Sequence, residues 1–256
     1  MPDALHRAAK ILVGHCGVAA LTQDDGSVLT WGSWDNPLQH ERGVKDIAAT
    51  FRAFVAIKAD CYVVAWGNAA SGGDASSVRE QLQGDVQTVA ATDSAFAAIK
   101  TDGSVVTWQA GAWGGGDSSS VREQLLADVQ TVAATEGAFA ALKTNDSVVT
   151  WGVPNHGGDS SSVREQLQCG IREVIGGESA FAALKDGGSV VTWGFPDSGG
   201  DSSSVQQRLQ GGVQYVRATR HAFAAVKDDG AVVCWGCPQP LRDIDQRRLR
   251  SGVALR

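Results

Sequence analysis

One short motif recurs along the chain and constrains what it can fold into. A Val-Val-Thr-Trp sequence, usually followed by Gly, is present in six intact or diverged copies. These copies end at Trp31, Trp66, Trp108, Trp151, Trp193 and Trp235. Successive tryptophans are 35, 42, 43, 42 and 42 residues apart. A fixed period of about 20 to 50 residues is typical of repeat architectures, in which each unit buries its apolar surface against its neighbours.

Each repeat is predicted to contain three strands. In the fourth copy, residues 129–135 are short and rich in β-branched side chains, and residues 147–151 show the same enrichment. Residues 138–143 between them are apolar on both faces, which indicates a strand that is buried on both faces. Asp-Gly separates the second and third strands in several copies and is a strong hairpin signal, because this turn needs positive φ. Asp60-Cys61 and Asn145-Asp146 depart from it, so looser turns are expected there.

A polar segment follows the third strand. Gly-Gly-Asp-Ser-Ser-Ser-Val-Arg-Glu-Gln-Leu occupies residues 115–125 and recurs with small changes at 72–82, 157–167 and 199–209. Ser120 and Glu123 have the spacing of a helix capping box, and Val121 and Leu125 would share one face of a helix. The segment therefore predicts a helix of about two turns that leans on the sheet. The first copy lacks this segment, which explains the short first spacing.

Six such units could stack as an open solenoid or close into a ring. A ring gives every sheet two neighbours, and the end copies lack the polar outer face that solenoid caps need. We therefore predict a mainly β, six-bladed ring of three-stranded antiparallel blades, with a short helix after the third strand in most blades. Residues 1–256 form one domain, with blades at approximately 8–43, 44–85, 86–128, 129–170, 171–212 and 213–256. The six recurring tryptophans, Trp31 to Trp235, are assigned to packing between adjacent blades.

Residues 92–108 resemble the repeat of the regulator of chromosome condensation family, which reads roughly Gly-x-x-His-Ser-Leu-Ala-Leu-x-x-Asp-Gly-x-Val-Tyr-x-Trp-Gly. The apolar run, the Asp-Gly and the Trp fall in register, and the resemblance covers about half of each period. The chain is similar also to the propeller-type proteins that inhibit β-lactamases, which use three-stranded blades. Both families are β-propellers, so the resemblance implies a β-propeller.

The chain also departs from that family pattern. Alanine replaces the family's histidine in five copies, and we count six blades where the known ring has seven. Nothing matches the wedge that the chromosomal protein uses on its small GTPase, so the resemblance does not imply exchange activity. Near-identical tandem copies of this kind also resemble a repeat family expanded in dinoflagellate algae.

Composition excludes several classes of function. The chain has 256 residues and a formal net charge of −6, without the basic stripe that a nucleic-acid binder needs. No run of about 18 apolar residues is long enough to span a membrane, and residues 1–10 lack the apolar core of a secretory signal. We expect a soluble protein, cytoplasmic or organellar, that does not bind nucleic acid and does not insert into a membrane.

The sequence contains no common catalytic motif. Cys234 and Cys237 form a lone Cys-x-x-Cys without the second pair that a structural zinc site needs, and pairing of the two thiols or metal binding stays open. The five histidines share no spacing. We predict no enzymatic activity, no cofactor and no metal.

Two loops vary among copies that are otherwise nearly constant. One joins the first and second strands, the other follows Trp-Gly, and in an up-down-up blade both emerge at one rim. Loops on a rigid scaffold carry function, and aromatic and arginine side chains are enriched in binding hot spots. The predicted partner-binding residues are Trp34, Phe51, Arg52, Trp113, His156, Phe195, Arg220 and His221. Neutral drift of the loops is the competing interpretation.

These observations favour a non-catalytic module that presents variable loops to another protein, whose identity the sequence does not give. A first alternative is a structural accessory subunit of a larger assembly, for example in an algal organelle. A second is a propeller enzyme, such as a lyase or hydrolase. An enzyme of this kind would gather acid–base residues over the central channel, and no such cluster is visible in the sequence.

Overall fold

The structure is a computed structural model that describes residues 8–14, 17–32, 42–109 and 114–236. Within these ranges, eighteen strands form six three-stranded antiparallel sheets, each built from three consecutive strands. The first strands of successive sheets lie beside each other, so the sheets follow one another as blades. The predicted six-bladed arrangement of three-stranded antiparallel blades is confirmed.

The strands have the following bounds in chain order. They are β1 Ala8–Gly14, β2 Gly17–Thr22, β3 Val28–Gly32, β4 Val44–Ala49, β5 Ala53–Lys58, β6 Val63–Gly67, β7 Val86–Ala91, β8 Phe96–Lys100, β9 Val105–Trp108, β10 Val129–Ala134, β11 Ala138–Lys143, β12 Val148–Gly152, β13 Ile171–Gly176, β14 Ala180–Lys185, β15 Val190–Gly194, β16 Val213–Ala218, β17 Ala222–Lys227 and β18 Val232–Gly236.

The turns between second and third strands share one geometry. Gly103 has φ 76°, and its N–H donates to the Lys100 carbonyl at 2.9 Å. Cys61 and Asp146, which replace glycine, have φ 66° and 60° and make the same bond. The expectation of looser turns at these two positions was therefore wrong. A tight hairpin holds the left-handed conformation there even without glycine, which costs about 1–2 kcal/mol for an ordinary residue.

The predicted helices are present after the third strand, but they are 3₁₀ helices. They span Ser76–Leu82, Ser119–Leu125, Ser161–Leu167 and Ser203–Leu209, and shorter 3₁₀ turns precede three of them at Ala69–Ser71, Pro154–His156 and Pro196–Ser198. The predicted capping box of Ser120 and Glu123 is absent, since Ser120 lies inside the helix and the N-cap residue, Ser118, makes no side-chain cap bond. Instead the Asp117 carboxylate accepts the Ser119 N–H at 2.9 Å. The aspartate of Gly-Gly-Asp thus starts each helix.

The middle strand of each inner blade is buried on both faces, as predicted. In β11, five of the six residues are buried, and the strand lies between two apolar clusters. Ala95, Ala97 and Ile99 of the third blade pack against Phe139 and Trp151 of the fourth. Equivalent clusters lie at each of the five junctions from the first blade to the sixth. The core therefore lies between the blades.

Five of the six repeated tryptophans are buried in these junctions. Each stacks on the phenylalanine opposite it in the neighbouring strand, with ring centroids 5.2–5.7 Å apart. They are Trp66, Trp108, Trp151, Trp193 and Trp235, with 2–5% of their surface exposed. Trp31 departs from its assigned packing role and is 39% exposed. No preceding blade among the described residues covers its sheet.

Glycine pairs allow the blades to approach closely. The first glycine of Gly-Gly-Asp, Gly157, has φ 93°, and a Cβ there would lie 2.5 Å from the Phe181 ring of the next blade. Its carbonyl accepts the Trp193 indole N–H at 3.0 Å. The same indole bond joins Trp108 to Gly72 and Trp235 to Gly199. Each glycine pair therefore serves the junction between two blades.

Lysines at the ends of the second strands hold the connecting segments in place. The Lys143 ammonium donates to the Gln124 carbonyl at 2.7 Å, and Lys185 donates to the Gln166 carbonyl at 2.6 Å. Lys227 makes the equivalent bond to Arg208 at 3.0 Å. Each bond links one blade to the 3₁₀ helix that precedes it in the chain.

None of the helices in the described ranges has the length and apolar character needed to cross a bilayer.

Candidate interaction surface

The two variable loops of each blade lie at one rim of the molecule, which we call the variable rim. It comprises loops 50–52, 92–95, 135–137, 177–179 and 219–221 and segments 68–71, 153–156 and 195–198. Backbone bonds join the two sets, from the Asn68 N–H to the Arg52 carbonyl at 2.9 Å and from the Phe195 N–H to the Ser179 carbonyl at 2.8 Å. The Asp-Gly turns lie at the opposite ends of the strands, which we call the turn rim.

A series of backbone hydrogen bonds joins the first loops of five successive blades. Phe51 donates to the Asp93 carbonyl at 2.8 Å, and Asp93 donates to the Glu136 carbonyl at 2.9 Å. Glu136 donates to Glu178 at 2.8 Å, and Glu178 donates to Arg220 at 3.0 Å. We call this series the collar. It fixes the spacing of five residues that occupy the same position in their repeats and differ in chemistry.

Charged side chains of the collar form a cluster. The Arg220 guanidinium lies 2.6 Å from a Glu178 carboxylate oxygen and 3.1 Å from one of Glu136. His221 Nδ1 contacts the other Glu178 oxygen. Arg220 is 72% exposed, while the Glu178 side chain is 14% exposed. The cluster thus combines nearly buried carboxylates with accessible basic groups.

The carboxyl groups of the cluster differ in acidity. Burial raises the pKa of Asp93, and Arg220 only partly offsets this. Burial also raises the pKa of Glu136. Burial opposes ionisation of Glu178 too, but hydrogen bonds from Arg220 and a shared bond with Glu136 bring the pKa of Glu178 below its usual value. The two glutamates that contact Arg220 are therefore shifted in opposite directions.

The structure places the predicted partner-binding residues as follows. Phe51 and Phe195 are 46% and 43% exposed at the variable rim. Arg52 is exposed in the same loop as Phe51. Arg220 and His221 join the charged cluster, and His156 is half-buried with no hydrogen bond to its Nδ1 among the described residues. Trp34 and Trp113 lie outside the described residues.

Sequence reasoning missed three members of this surface, namely Asp93, Glu136 and Glu178. All three stand in loops that vary among the copies, but the selection favoured aromatic and arginine side chains. Their spacing carries a signal, because Asp93, Glu136, Glu178 and Arg220 follow one another at 43, 42 and 42 residues. Residues one period apart occupy equivalent places on neighbouring blades. A comparison of charge at equivalent positions would have brought them together.

No group of three or more His, Cys, Asp and Glu side chains suited to a metal is present in the described ranges. Cys234 is half-buried in β18 opposite Ala224, at the position that threonine holds in other blades. Burial raises the pKa of the Cys234 thiol, which makes it less reactive. Cys237 lies outside the described residues, so the Cys-x-x-Cys stays untested.

A scan against protein-family models and a search of curated proteins found no match to this chain. Solved structures do match. Human WBSCR16 is similar with 16% identity and a TM-score of 0.55, over 89% of this chain and 77% of that chain. Prp20p from Saccharomyces cerevisiae has 14% identity and a TM-score of 0.55, over 98% and 73%. The CRINKLY WD40 ectodomain of the Arabidopsis thaliana receptor kinase ACR4 has 16% identity and a TM-score of 0.52, over 90% and 79%.

These likenesses show the fold. The chain has a β-propeller fold like that of the regulator of chromosome condensation, as its repeat sequence implied. Among these neighbours, yeast Prp20 has been solved bound to Kap60, and its binding to Gsp1p and histones has been described. These partners are those of the yeast protein.

Proposed function

We propose that this chain is a non-catalytic module that binds another protein through the variable rim. The observation that carries the proposal is the exposure of Phe51 and Phe195 at the same rim as the charged cluster. Exposed aromatic side chains next to arginine are the composition of binding hot spots. The collar fixes the backbone at Phe51, and the bond from the Phe195 N–H to the Ser179 carbonyl fixes it at Phe195, so little order has to be gained on binding. The structural neighbour Prp20, which binds proteins, fits the same use of a propeller.

A test uses the double variant Phe51→Ala/Phe195→Ala. The wild-type chain is used as bait, and proteins it retains are identified by mass spectrometry and then titrated against both forms. We expect the variant to bind its partner at least about tenfold more weakly, since hot-spot truncations cost about 2 kcal/mol or more. Its thermal unfolding should change little, because neither phenylalanine belongs to an apolar cluster between blades.

The matched control is Leu126→Ala. Leu126 is 57% exposed at the turn rim, so it removes a similar apolar surface from the opposite side of the molecule. This control should retain the partner with wild-type affinity. Equal binding by the double variant and the wild type would refute the proposed surface.

One observation favours an enzyme as a second candidate. Glu136 and Glu178 share a site in which the pKa of one is raised and that of the other is lowered, and such divergence is how acid and base roles arise. Arg220 already pairs with Glu178, however, and His221 contacts its other oxygen, which suits an ion-pair network better than a free base. Glycoside- or ester-hydrolysing activity that Glu136→Gln abolishes would favour the enzyme.

A further inference from the structure

The third strand of each described blade lies at the outer edge of its sheet and pairs with another strand on one side only. Every sheet has the order first, second, third strand, and the first strands of successive blades contact one another. The first strands are therefore innermost and the third strands outermost. An edge strand keeps a row of backbone N–H and C=O groups without strand partners, and no function has yet been assigned to these edges.

In the second blade, hydrogen bonds show which groups of the third strand, β6, face outward. Tyr62 and Asn68, which flank β6, both bond toward β5 and its preceding loop, at 2.9 Å each. Because bonded and non-bonded pairs alternate along an antiparallel ladder, every second residue between them also bonds to β5. The N–H and C=O groups of Val63 and Ala65 therefore point away from the sheet.

The sixth blade shows that such an outward group accepts a hydrogen bond from outside its sheet. Val232 pairs with Val226 as Val63 pairs with Ile57, so Val232 and Val63 are equivalent. The Val232 carbonyl accepts a bond from the Arg208 guanidinium at 2.9 Å. Arg208 belongs to the 3₁₀ helix that precedes the sixth blade. The edge of a third strand is thus accessible to a donor that does not belong to its own blade.

A pair of hydroxyl groups ties the third strand to the following connector in the third, fourth and fifth blades. The strand carries a threonine whose Oγ1 lies 2.8–2.9 Å from the Oγ of the serine at the N-cap of the next 3₁₀ helix. The same threonine donates to the carbonyl of the second glycine of Gly-Gly-Asp. The pairs are Thr107 with Ser118, Thr150 with Ser160 and Thr192 with Ser202.

The second blade lacks both hydroxyls of this pair. Ala65 stands in place of the threonine and Ala75 in place of the serine, and both pack against the apolar cluster between the second and third blades. A groove of about 530 Å³ lies here, lined among others by Val64, Ala65, Ala75, Arg79 and Leu82. The corresponding grooves on the third and fifth blades have about 430 and 270 Å³. We call the larger one the Ala65 groove.

The charged groups of the Ala65 groove differ in whether they have partners. The Asp74 carboxylate accepts the Ser76 N–H at 2.9 Å. Arg79 is exposed, and no ion pair joins it to a carboxylate of the described residues. A carboxylate on an incoming segment would therefore find a free guanidinium beside the apolar floor of the groove.

We infer that the Ala65 groove receives an extended segment of another protein, which pairs with the outer edge of β6 as a fourth strand of the second blade. In this mode of recognition backbone hydrogen bonds give affinity and side-chain pockets give specificity. The segment bonds to Val63 and Ala65, places a small apolar side chain against Ala65 and Ala75, and pairs an Asp or Glu with Arg79. The groove is separate from the variable rim, so this inference does not rest on the proposed function.

Amide exchange of the free wild-type chain, resolved by NMR, tests whether the edge is open. We expect the Val63 and Ala65 amides to exchange at least about 100-fold faster than those of Val64 and Trp66, because exchange reports local hydrogen bonding. Slow exchange of Ala65 would show that another part of the chain already pairs with this edge, and it would overturn the inference.

Binding is tested with a phage-displayed library of random seven-residue peptides selected on the full chain. Enriched peptides are synthesised and titrated against it. We expect sequences in which an acidic residue stands near small apolar ones, and saturation should slow exchange of the Val63 and Ala65 amides at least about tenfold, since both become paired. Failure to enrich any peptide would count against the inference, as would enriched peptides that leave both amides unprotected.

A double variant, Ala65→Thr/Ala75→Ser, installs the hydroxyl pair that three other blades accommodate. It should bind the selected peptides at least about tenfold more weakly, because the hydroxyls make the apolar floor polar and fill it. The matched control, Thr107→Ala/Ser118→Ala, removes the pair from the third blade and should leave peptide affinity unchanged. Wild-type affinity in the first variant would contradict the inferred site.

A single variant, Arg79→Gln, tests the inferred ion pair. It should weaken acidic peptides about twofold to fivefold, which is the range of an exposed ion pair. Versions of the same peptides with Asn or Gln in place of the acid should bind the variant and the wild type alike. An equal loss for acidic and neutral versions would refute the role of Arg79 in selecting the segment.

Discussion

At the scale of single residues, the chain depends on positions where nothing larger than hydrogen fits. Gly157 combines a positive φ with a close approach to the Phe181 ring and accepts the Trp193 indole bond. The sequence shows Gly-Gly-Asp as a repeated motif and suggests a helix start. It cannot show that the first glycine touches an aromatic ring about 24 residues later, because that contact crosses from one blade to the next.

Gly157→Ala should therefore destabilise the protein by about 2–4 kcal/mol, from backbone strain together with displacement of a packed ring. The measurement is urea unfolding followed by tryptophan fluorescence. Gly187→Ala is the matched control, since a Cβ there has open space around it, and it should change stability by less than about 0.5 kcal/mol. Equal effects of the two substitutions would contradict the packing role.

At the scale of elements, the sequence predicted a helix at the right place after the third strand, but it did not predict the 3₁₀ geometry of that helix. The Ser-x-x-Glu spacing at 120 and 123 suggested an α-helical capping box, whereas the structure has seven-residue 3₁₀ helices that begin one residue earlier. The aspartate before each helix accepts a backbone N–H two residues on, as Asp159 does from Ser161 at 2.9 Å. This Asx turn competes locally with the capping box, and the Ser-x-x-Glu spacing alone does not show which of the two forms.

These turns predict a pH dependence. Hydrogen bonds from the backbone and side chain of the serine lower the pKa of the aspartate, as for Asp159. A carboxyl whose folded pKa is lowered contributes stability above its unfolded pKa, near 3.9, and loses it as the pH falls through the folded pKa. A variant with all four aspartates changed to asparagine should melt roughly 2–4 °C lower at pH 7. That difference should shrink as the pH falls through the lowered pKa of the aspartates in the folded protein.

The four aspartates are Asp74, Asp117, Asp159 and Asp201. Asparagine keeps the acceptor oxygen and removes the charge, so it isolates the titration. The corresponding alanine variant, which lacks the acceptor, should melt lower than wild type at every pH. A wild-type to asparagine difference that is constant from pH 7 to pH 3 would contradict the assignment.

At the scale of the whole molecule, stability comes from junctions between neighbours. The period, the Asp-Gly turns and the doubly apolar second strand were enough to predict six antiparallel blades, because these signals are local and repeat. The charged cluster at Glu136 and Glu178 was missed, since it depends on which blades become neighbours. The exposure of Trp31 was missed as well, because its own sequence is that of a buried copy.

Blade position should therefore set local stability. Among the described residues, the fourth blade belongs to apolar clusters on both sides, while the first belongs to one. In nearest-neighbour repeat systems an end unit opens before an inner one. Hydrogen exchange of the chain at low micromolar concentration should show amides of β2 exchanging at least about tenfold faster than those of β11. Equal protection of the two strands would indicate that the first blade is covered on its other side as well.

The collar has a consequence for how such a chain can change over time. Its hydrogen bonds, from Phe51 to Arg220, join main-chain atoms only. They therefore do not depend on which side chain occupies each collar position. A substitution at one link alters the chemistry shown to a ligand without moving the next. The backbone of the collar thus stays constant while its side chains can differ from repeat to repeat. Duplication of a repeat followed by substitution at its collar position can therefore produce a new recognition surface without a change of fold.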